Sequence, residues 1–295
     1  MALRTVITER QRRLGAELKK LRQEAGLSIA EGGRLIDMGT PHLSHIEAGR
    51  TAIPTDRLRK LVHAYGCKNA AYVDELVSMA ESNGKGWWSE YRKTLPQHII
   101  DLAELESRST TLQSYQTLLV PGLLQTESYM RAIFRSARPD ESPDLVESQV
   151  RFRLARQDIL RADSRVNFHA VIHEAALRMC VGGAHVMRGQ LIHLIRMSKR
   201  PGVTIQVLPF EMGVRAWFST PFALLSSGVA GLETVSAEHP SGNLWLGDTD
   251  SVAQYGGTFS GLCKSALPPV VAGESPELHE ERDSWGLIHH ILYTH

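Results

Sequence analysis

The 295-residue sequence predicts an all-α head of about five helices followed by a larger α+β domain with a small sheet. Three observations carry this. Residues 1–82 hold short segments with helical apolar spacing, several opened by a cap residue and most closed by glycine. Beyond residue 165, strand-like runs lie among helical ones and are bounded by Gly/Pro turns. Charge divides the same way: residues 1–70 carry 13 Lys/Arg against 7 Asp/Glu, and residues 71–295 carry 20 against 25. A small basic part joined to a mildly acidic larger one points to nucleic acid as a partner of the first part alone.

The head reads in order. In "ERQRRLGAELKKLRQEAG", Leu14, Leu18 and Leu21 form one apolar stripe, and Gly26 stops the helix. Ser28 then caps a second helix, with Glu31 reaching back to the Ser28 amide, and that helix runs to about Ile36. "DMG" makes a tight turn. Thr40 is the expected N-cap of a third helix, with Pro41 at the first helical position, Leu43 and Ile46 on its apolar side, and Gly49 as its stop. A fourth helix starts at Thr55, turns Leu58, Leu61, Val62 and Tyr65 inward, and stops at Gly66. Residues 70–82 make a fifth. Residues 83–86, "NGKG", read as a flexible linker. Trp87 and Trp88 read as core anchors opening a second domain over 87–295.

That domain alternates in type. Helices are expected in "LPQHIIDLAELESRST", "LLQTESYMRAIFRSA", "SPDLVESQVRFRLARQDILRA", "EAALRMCV", "AHVMRGQLIHLIRMSKR", "DSVAQYGGTFSGLCKSAL" and the last twenty residues. Strands are expected in "RVNFHAVI", "GVTIQVLPF", "PFALLSS", "LETVSAEH" and "GNLWLGD".

Two short helices joined by a three- to four-residue turn and flanked by packing helices describe a helix-turn-helix unit. With "LRxxxGLS" at Leu21 and "LSxIExG" at Leu43, residues 12–67 resemble the lambda-repressor-like, or XRE-type, DNA-binding domain. The resemblance implies roles. Thr40, Pro41 and His45 fall where such domains face base edges in the major groove, with His42 and Ser44 beside them. Ser28, Arg50 and Thr51 fall at phosphate-contacting positions. Arg22 and Glu47 fall where relatives form a buried ion pair. Three departures stand out. Ile29 replaces a polar residue, Gly32-Gly33 replaces a larger apolar residue, and the third helix lacks Arg, Gln and Asn, the strongest base readers. Each glycine costs a helix interior roughly 0.5–1 kcal/mol against alanine.

The resemblance extends over about 85–270. "YQTLLVPGLLQTESYMRAIF", "RFRLARQDIL", "EAALRMCVGG" and "VTIQVLPFEMG…PFALL" are similar to the domain that follows such a head in actinobacterial regulators of the WhiJ type. Those proteins are described as antitoxin-like, with a small protein partner encoded nearby. The resemblance thus implies a homodimeric, sequence-specific transcriptional regulator bound to a double-stranded operator. Its larger domain would dimerise the chain and sense a protein partner or ligand. The alternative it implies is an antitoxin-like protein that neutralises its partner and regulates its own operon.

Other classes find no motif. No P-loop, GxSxG, HExxH or dinucleotide fingerprint occurs, so no enzyme, cofactor or catalytic residue is expected. Cys67, Cys180 and Cys263 are far apart and odd in number, which fits a reduced cytoplasm; a DNA-bound pool would sit on the nucleoid. The 13 histidines give only His42/His45 and His169/His173 at helical spacing, without a third ligand nearby, so no metal site is expected. No apolar run has the ~18 residues of a membrane helix. Arg151, Arg153 and Arg156 crowd the long helix of this acidic domain and form a candidate surface for an acidic partner or an anionic effector.

Overall fold

A computed structural model describes residues 3–161, 163–212, 220–239, 242–270 and 282–294. The chain divides into two compact units, Met1–Leu105 with Val229–Leu232, and Glu106–Gly228 with Glu233–His295.

In the first unit, local signals set the helices. Thr8 and Gln11 form a capping box that opens α1 (Glu9–Glu24), and Ser28 and Glu31 form one that opens α2 (Ile29–Arg34). Then come α3 (Thr40–Glu47), α4 (Thr55–Ala64) and α5 (Ala70–Glu81), the last capped by Asn69. Their inward faces meet in one core that includes Leu14, Leu18, Leu43, Ile46, Leu58, Leu61 and Leu76. Leu232, from a segment far along the chain, is buried in the same core, and Gly231 O accepts a 2.8 Å bond from Arg13.

Several expectations shift. The second helix ends at Arg34, not Ile36. Gly32 and Gly33 are there for close approach. A Cβ on Gly32 would lie 2.6 Å from Tyr65 Oη, and one on Gly33 would lie 2.4 Å from Met38 O. The turn into α3 folds its backbone back against Gly33, while Gly32 packs against the side chains of Tyr65, Arg22 and Leu43. Asp37, at φ 51°, supplies the left-handed residue of that turn. Thr40 is not a cap. Gly39 holds the N-cap position, and Thr40 is already helical. Residues 83–86 form a pinned turn, because Gly84 O accepts from both the Trp88 indole and Arg92. Trp88 is buried, and it belongs to the first unit with most of α6 (Gln97–Glu106). The units therefore divide at Leu105/Glu106, whereas the sequence pattern breaks at 83–86.

The second unit is built on a six-stranded mixed sheet, larger than the small sheet expected. Its strands are β1 (Thr111–Gln116), β2 (Asn167–His173), β3 (Val203–Leu208), β4 (Phe222–Ser226), β5 (Thr234–His239) and β6 (Gly242–Leu246), in the order β3-β2-β1-β4-β5-β6. β3, β2 and β1 run parallel, and β4, β5 and β6 continue antiparallel from β1. The parallel links are helical: α7 (Glu127–Ala137) and α8 (Pro143–Gln157) lead to β2, and α9 (Glu174–Arg178) and α10 (Ala184–Met197) lead to β3. Next, α11 (Thr249–Ser265) packs Phe259 and Leu262 on Tyr115, Val171, Phe222 and Val235 of the sheet. The last helix is α12 (Ser284–Thr294); the rest of the C-terminal helix expected from sequence, 276–281 and 295, lies outside the described residues. β1, the strand that joins the parallel and antiparallel halves, has no counterpart in the sequence reading.

Candidate nucleic-acid interface

The third helix has two sides. Leu43, Ile46 and Glu47 are buried. Thr40, Pro41, Ser44 and Ala48 are exposed, and His45 is half-buried next to them. The spacing 40/41, 44/45, 48 puts these on one face, as helical geometry requires. His42 sits between the sides: it is half-buried, and its Nε2 is sealed from solvent without a protein partner. Of the five residues assigned to base contact, Thr40, Pro41, Ser44 and His45 therefore share the open face, and His42 flanks it.

One buried ion pair fixes this helix to the first. Arg22 Nε lies 2.7 Å from Glu47 Oε1 and Nη2 lies 3.0 Å from Oε2, while Nη1 donates to Leu27 O at 2.6 Å. The bond to Glu47 holds the guanidinium pKa above its ordinary value. Tyr65, close to the pair, is pushed up to about 12 by burial, with Glu47 adding to the effect. Both members of the pair are less than a tenth exposed, so their role is to position α3.

The helix end is equally defined. Gly49, at φ 71°, donates to Ile46 O at 2.9 Å, and Arg50 N donates to His45 O at 2.8 Å, the paired bonds of a Schellman motif. This turn leaves Arg50 exposed directly after the open face. Arg4 staples the turn from the other side, its backbone N–H donating to Arg50 O and its Nη1 to Gly49 O at 2.8 Å. Arg4 was missed in the sequence reading; its only signal there was a lone basic residue ahead of the first cap.

The phosphate positions divide. Thr51 is 5% exposed, so its side chain offers no open contact. At Ser28, the side chain accepts from Glu31 N while Ser28 N donates to the Glu31 carboxylate at 2.8 Å. These bonds lower the Glu31 pKa, and a carboxylate therefore already stands at that helix start. By contrast, α3 and α4 begin without any side-chain cap. In α3, Pro41 has no N–H and His42 N donates to Gly39 O, and in α4 Asp56 already stands in the first turn. Of the three residues assigned to phosphate contact, Arg50 is the exposed cation.

The arginines of α8 also divide. Arg151 is exposed. Arg156 is not an open surface: it binds Glu106 through two bonds of 2.8 and 2.7 Å, with both side chains nearly buried. Burial works against its charge, and Glu106 more than offsets that, so its pKa is raised. Arg153 stacks over Phe134 and donates to Gln125 Oε1. The proposed surface of three open arginines is thus reduced to one exposed and one half-buried cation.

A Cys–His contact in the sheet unit has no nucleophile's geometry. Gln206 donates its amide to Cys263 O and Leu267 O, so its oxygen faces His169 Nε2 at 2.8 Å and fixes the proton there. That nitrogen cannot take a proton from Cys263 Sγ, 3.8 Å away, and burial pushes the thiol up to about 11. His173 accepts from Ala175 N and caps α9. Among the described residues, no three His, Cys, Asp or Glu side chains gather as a metal site, and no helix is long and apolar enough to cross a membrane.

Comparison with known proteins agrees with this division. A family model described as "Helix-turn-helix domain" matches residues 13–76, and one described as "Domain of unknown function (DUF5753)" matches residues 99–272, more than half of the chain. No curated protein and no solved structure matches it.

Proposed function

The chain belongs to the DUF5753 family and carries a helix-turn-helix DNA-binding domain ahead of that region, and from this we propose that it is a sequence-specific transcriptional regulator. The observation that supports this most is the build of α3: an open face of Thr40, Pro41, Ser44 and His45, a rigid inner anchor at Arg22–Glu47, and an exposed Arg50. Arg50 grips the backbone, and the open face reads bases. Because that face carries no Arg, Asn or Gln, base reading is weak. Affinity then leans on phosphate contacts and on two heads bound as a homodimer to a two-fold operator. The larger unit works by binding, not catalysis. It takes a ligand or partner in the cytoplasm that shifts operator affinity, a coupling typically of about 1–3 kcal/mol.

The test is a titration of operator DNA at several salt concentrations. Affinity should fall steeply with salt. Arg50→Ala should weaken all sequences alike and reduce the salt slope by about one. His45→Ala should instead relax sequence preference with the slope unchanged. If both variants bind like the parent, this docking is wrong.

A further inference from the structure

The fold neutralises one arginine of α8 and leaves its neighbour uncompensated. Arg156 has the Glu106 carboxylate. Arg153, three residues earlier, has one protein acceptor, the neutral Gln125 Oε1 at 2.5 Å, and lies 4.5 Å over the Phe134 ring. Among the described residues no carboxylate reaches it at ion-pair distance. Burial pulls its pKa down to about 10, the Arg156 cation adds to this, and Glu238 and Tyr129 oppose it from farther off. By surface the side chain is half-buried, so its remaining N–H groups stay open to solvent and can be reached by an anion.

The surroundings are built to hold that guanidinium still. Gln125 donates its amide to Val120 O at 2.7 Å, which fixes its oxygen toward Arg153. Gln157 Nε2 holds Gln125 O at 2.7 Å and Gly122 O at 3.1 Å. Gln190 donates to Leu124 O and accepts from Thr126 N, both at 2.7 Å. Three glutamine side chains thus lock the 120–126 segment beside Arg153, most of whose N–H groups lack a protein acceptor among the described residues. Such support is what a preorganised binding group requires.

We propose that Arg153, framed by Gln125, Phe134 and the Arg156–Glu106 pair, binds the carboxylate of a small ligand. The proposal rests on the reading of the larger unit as a binding module and deepens it. One open guanidinium matches one planar, singly charged group. A phosphate dianion would exceed that charge and meet the Glu106 and Glu238 carboxylates nearby.

The test uses the full chain without DNA, so its outcome is independent of the operator reading. Unfolding temperature is followed while sodium acetate, and separately sodium phosphate, replaces sodium chloride at equal ionic strength. Acetate should raise it saturably, and phosphate should do so less. Arg153→Gln should abolish the response while unfolding in chloride no lower than the parent, since an uncompensated cation is gone. Arg153→Lys should keep the charge but weaken the acetate midpoint roughly tenfold, because the planar pair of donors is lost. Arg151→Gln should respond like the parent. The proposal is overturned if acetate has no effect on the parent, if phosphate acts more strongly than acetate, or if Arg153→Gln unfolds lower in chloride and still responds.

Discussion

On α1, Arg13 and Arg22 are buried against carboxylates, Glu17 at 2.7 Å and Glu47 at 2.7 Å. On α8, Arg156 is buried against Glu106, but Arg153 beside it has only an amide. Both α1 pairs lie within the helical unit, and Tyr72 donates to Glu17 at 2.5 Å to complete the Arg13 pair. In the sheet unit no carboxylate among the described residues lies at ion-pair distance from Arg153, and its one acceptor, Gln125, is held by its own bond to Val120 O. The two units thus treat a helical arginine pair differently. The head keeps its buried charges for rigidity and turns its binding groups outward on α3. The larger unit keeps Arg153 half-buried against a neutral amide, the arrangement from which the small-anion site is proposed.

The strongest way to break the comparison is to open a charge in the head. Glu47→Ala leaves the Arg22 guanidinium buried without an anion and should cost about 3–5 kcal/mol of head stability. Hydrogen exchange should report lost protection in α1 and α3 and unchanged protection in β2 and β3. The double variant Arg22→Met with Glu47→Leu should recover much of the loss, since a buried pair replaced by apolar side chains is often nearly neutral. A single variant as stable as the parent would mean that the pair does not anchor α3.

A second, smaller effect sharpens what "the head" is. Leu232 lies between β4 and β5 in sequence, yet its side chain is 4% exposed in the core of the helical unit. Leu232→Ala should cost about 2–5 kcal/mol, as a buried truncation with a residual cavity does. Protection should fall in α1 and α5. Loss confined to β4 and β5 would remove Leu232 from the head's core.

Legibility follows the same division. The five head helices were readable because their starts and stops are local: Ser28 with Glu31, and the glycines at 26, 49 and 66. The misread positions there have non-local reasons. Gly32 and Gly33 look like helix weakeners until Tyr65 Oη and Met38 O are seen against them. Thr40 looks like a cap because the true N-cap, Gly39, has no side chain to announce itself. In the larger unit, "TLQSYQ" hides β1, since four of its six residues are polar and its burial is created by β2 and β4 from distant parts of the chain. Arg156 looked like open surface because Glu106 lies fifty residues earlier in sequence. The exposed side of α3 was legible from its helical spacing, apart from the flanking position of His42. The burial of Thr51 was not, because it is set by packing and not by local sequence.

The smallest expected effect is a response to acid that differs in sign between the units. In the head, burial raises the pKa of Glu9, and burial likewise raises that of Asp101. A carboxyl group raised on folding contributes stability that is full below its unfolded value and lost as pH rises through the folded one, so acid favours these two. His98, lowered by burial, opposes them in the same unit. In the larger unit, burial lowers His169, His173 and His193, the last also through Arg200 and Arg196. A histidine lowered on folding contributes stability that is present above its ordinary value of 6.5 and lost as pH falls through the folded value. Going from about pH 7.5 to 5.5, protection in β2 and β3 should therefore fall, and protection in α1 and α3 should fall less or rise, after correction for intrinsic exchange rates. His193→Gln should flatten the first trend and Asp101→Asn the second. Parallel losses in both units, insensitive to these substitutions, would show that buried titrating groups do not distinguish the two regions.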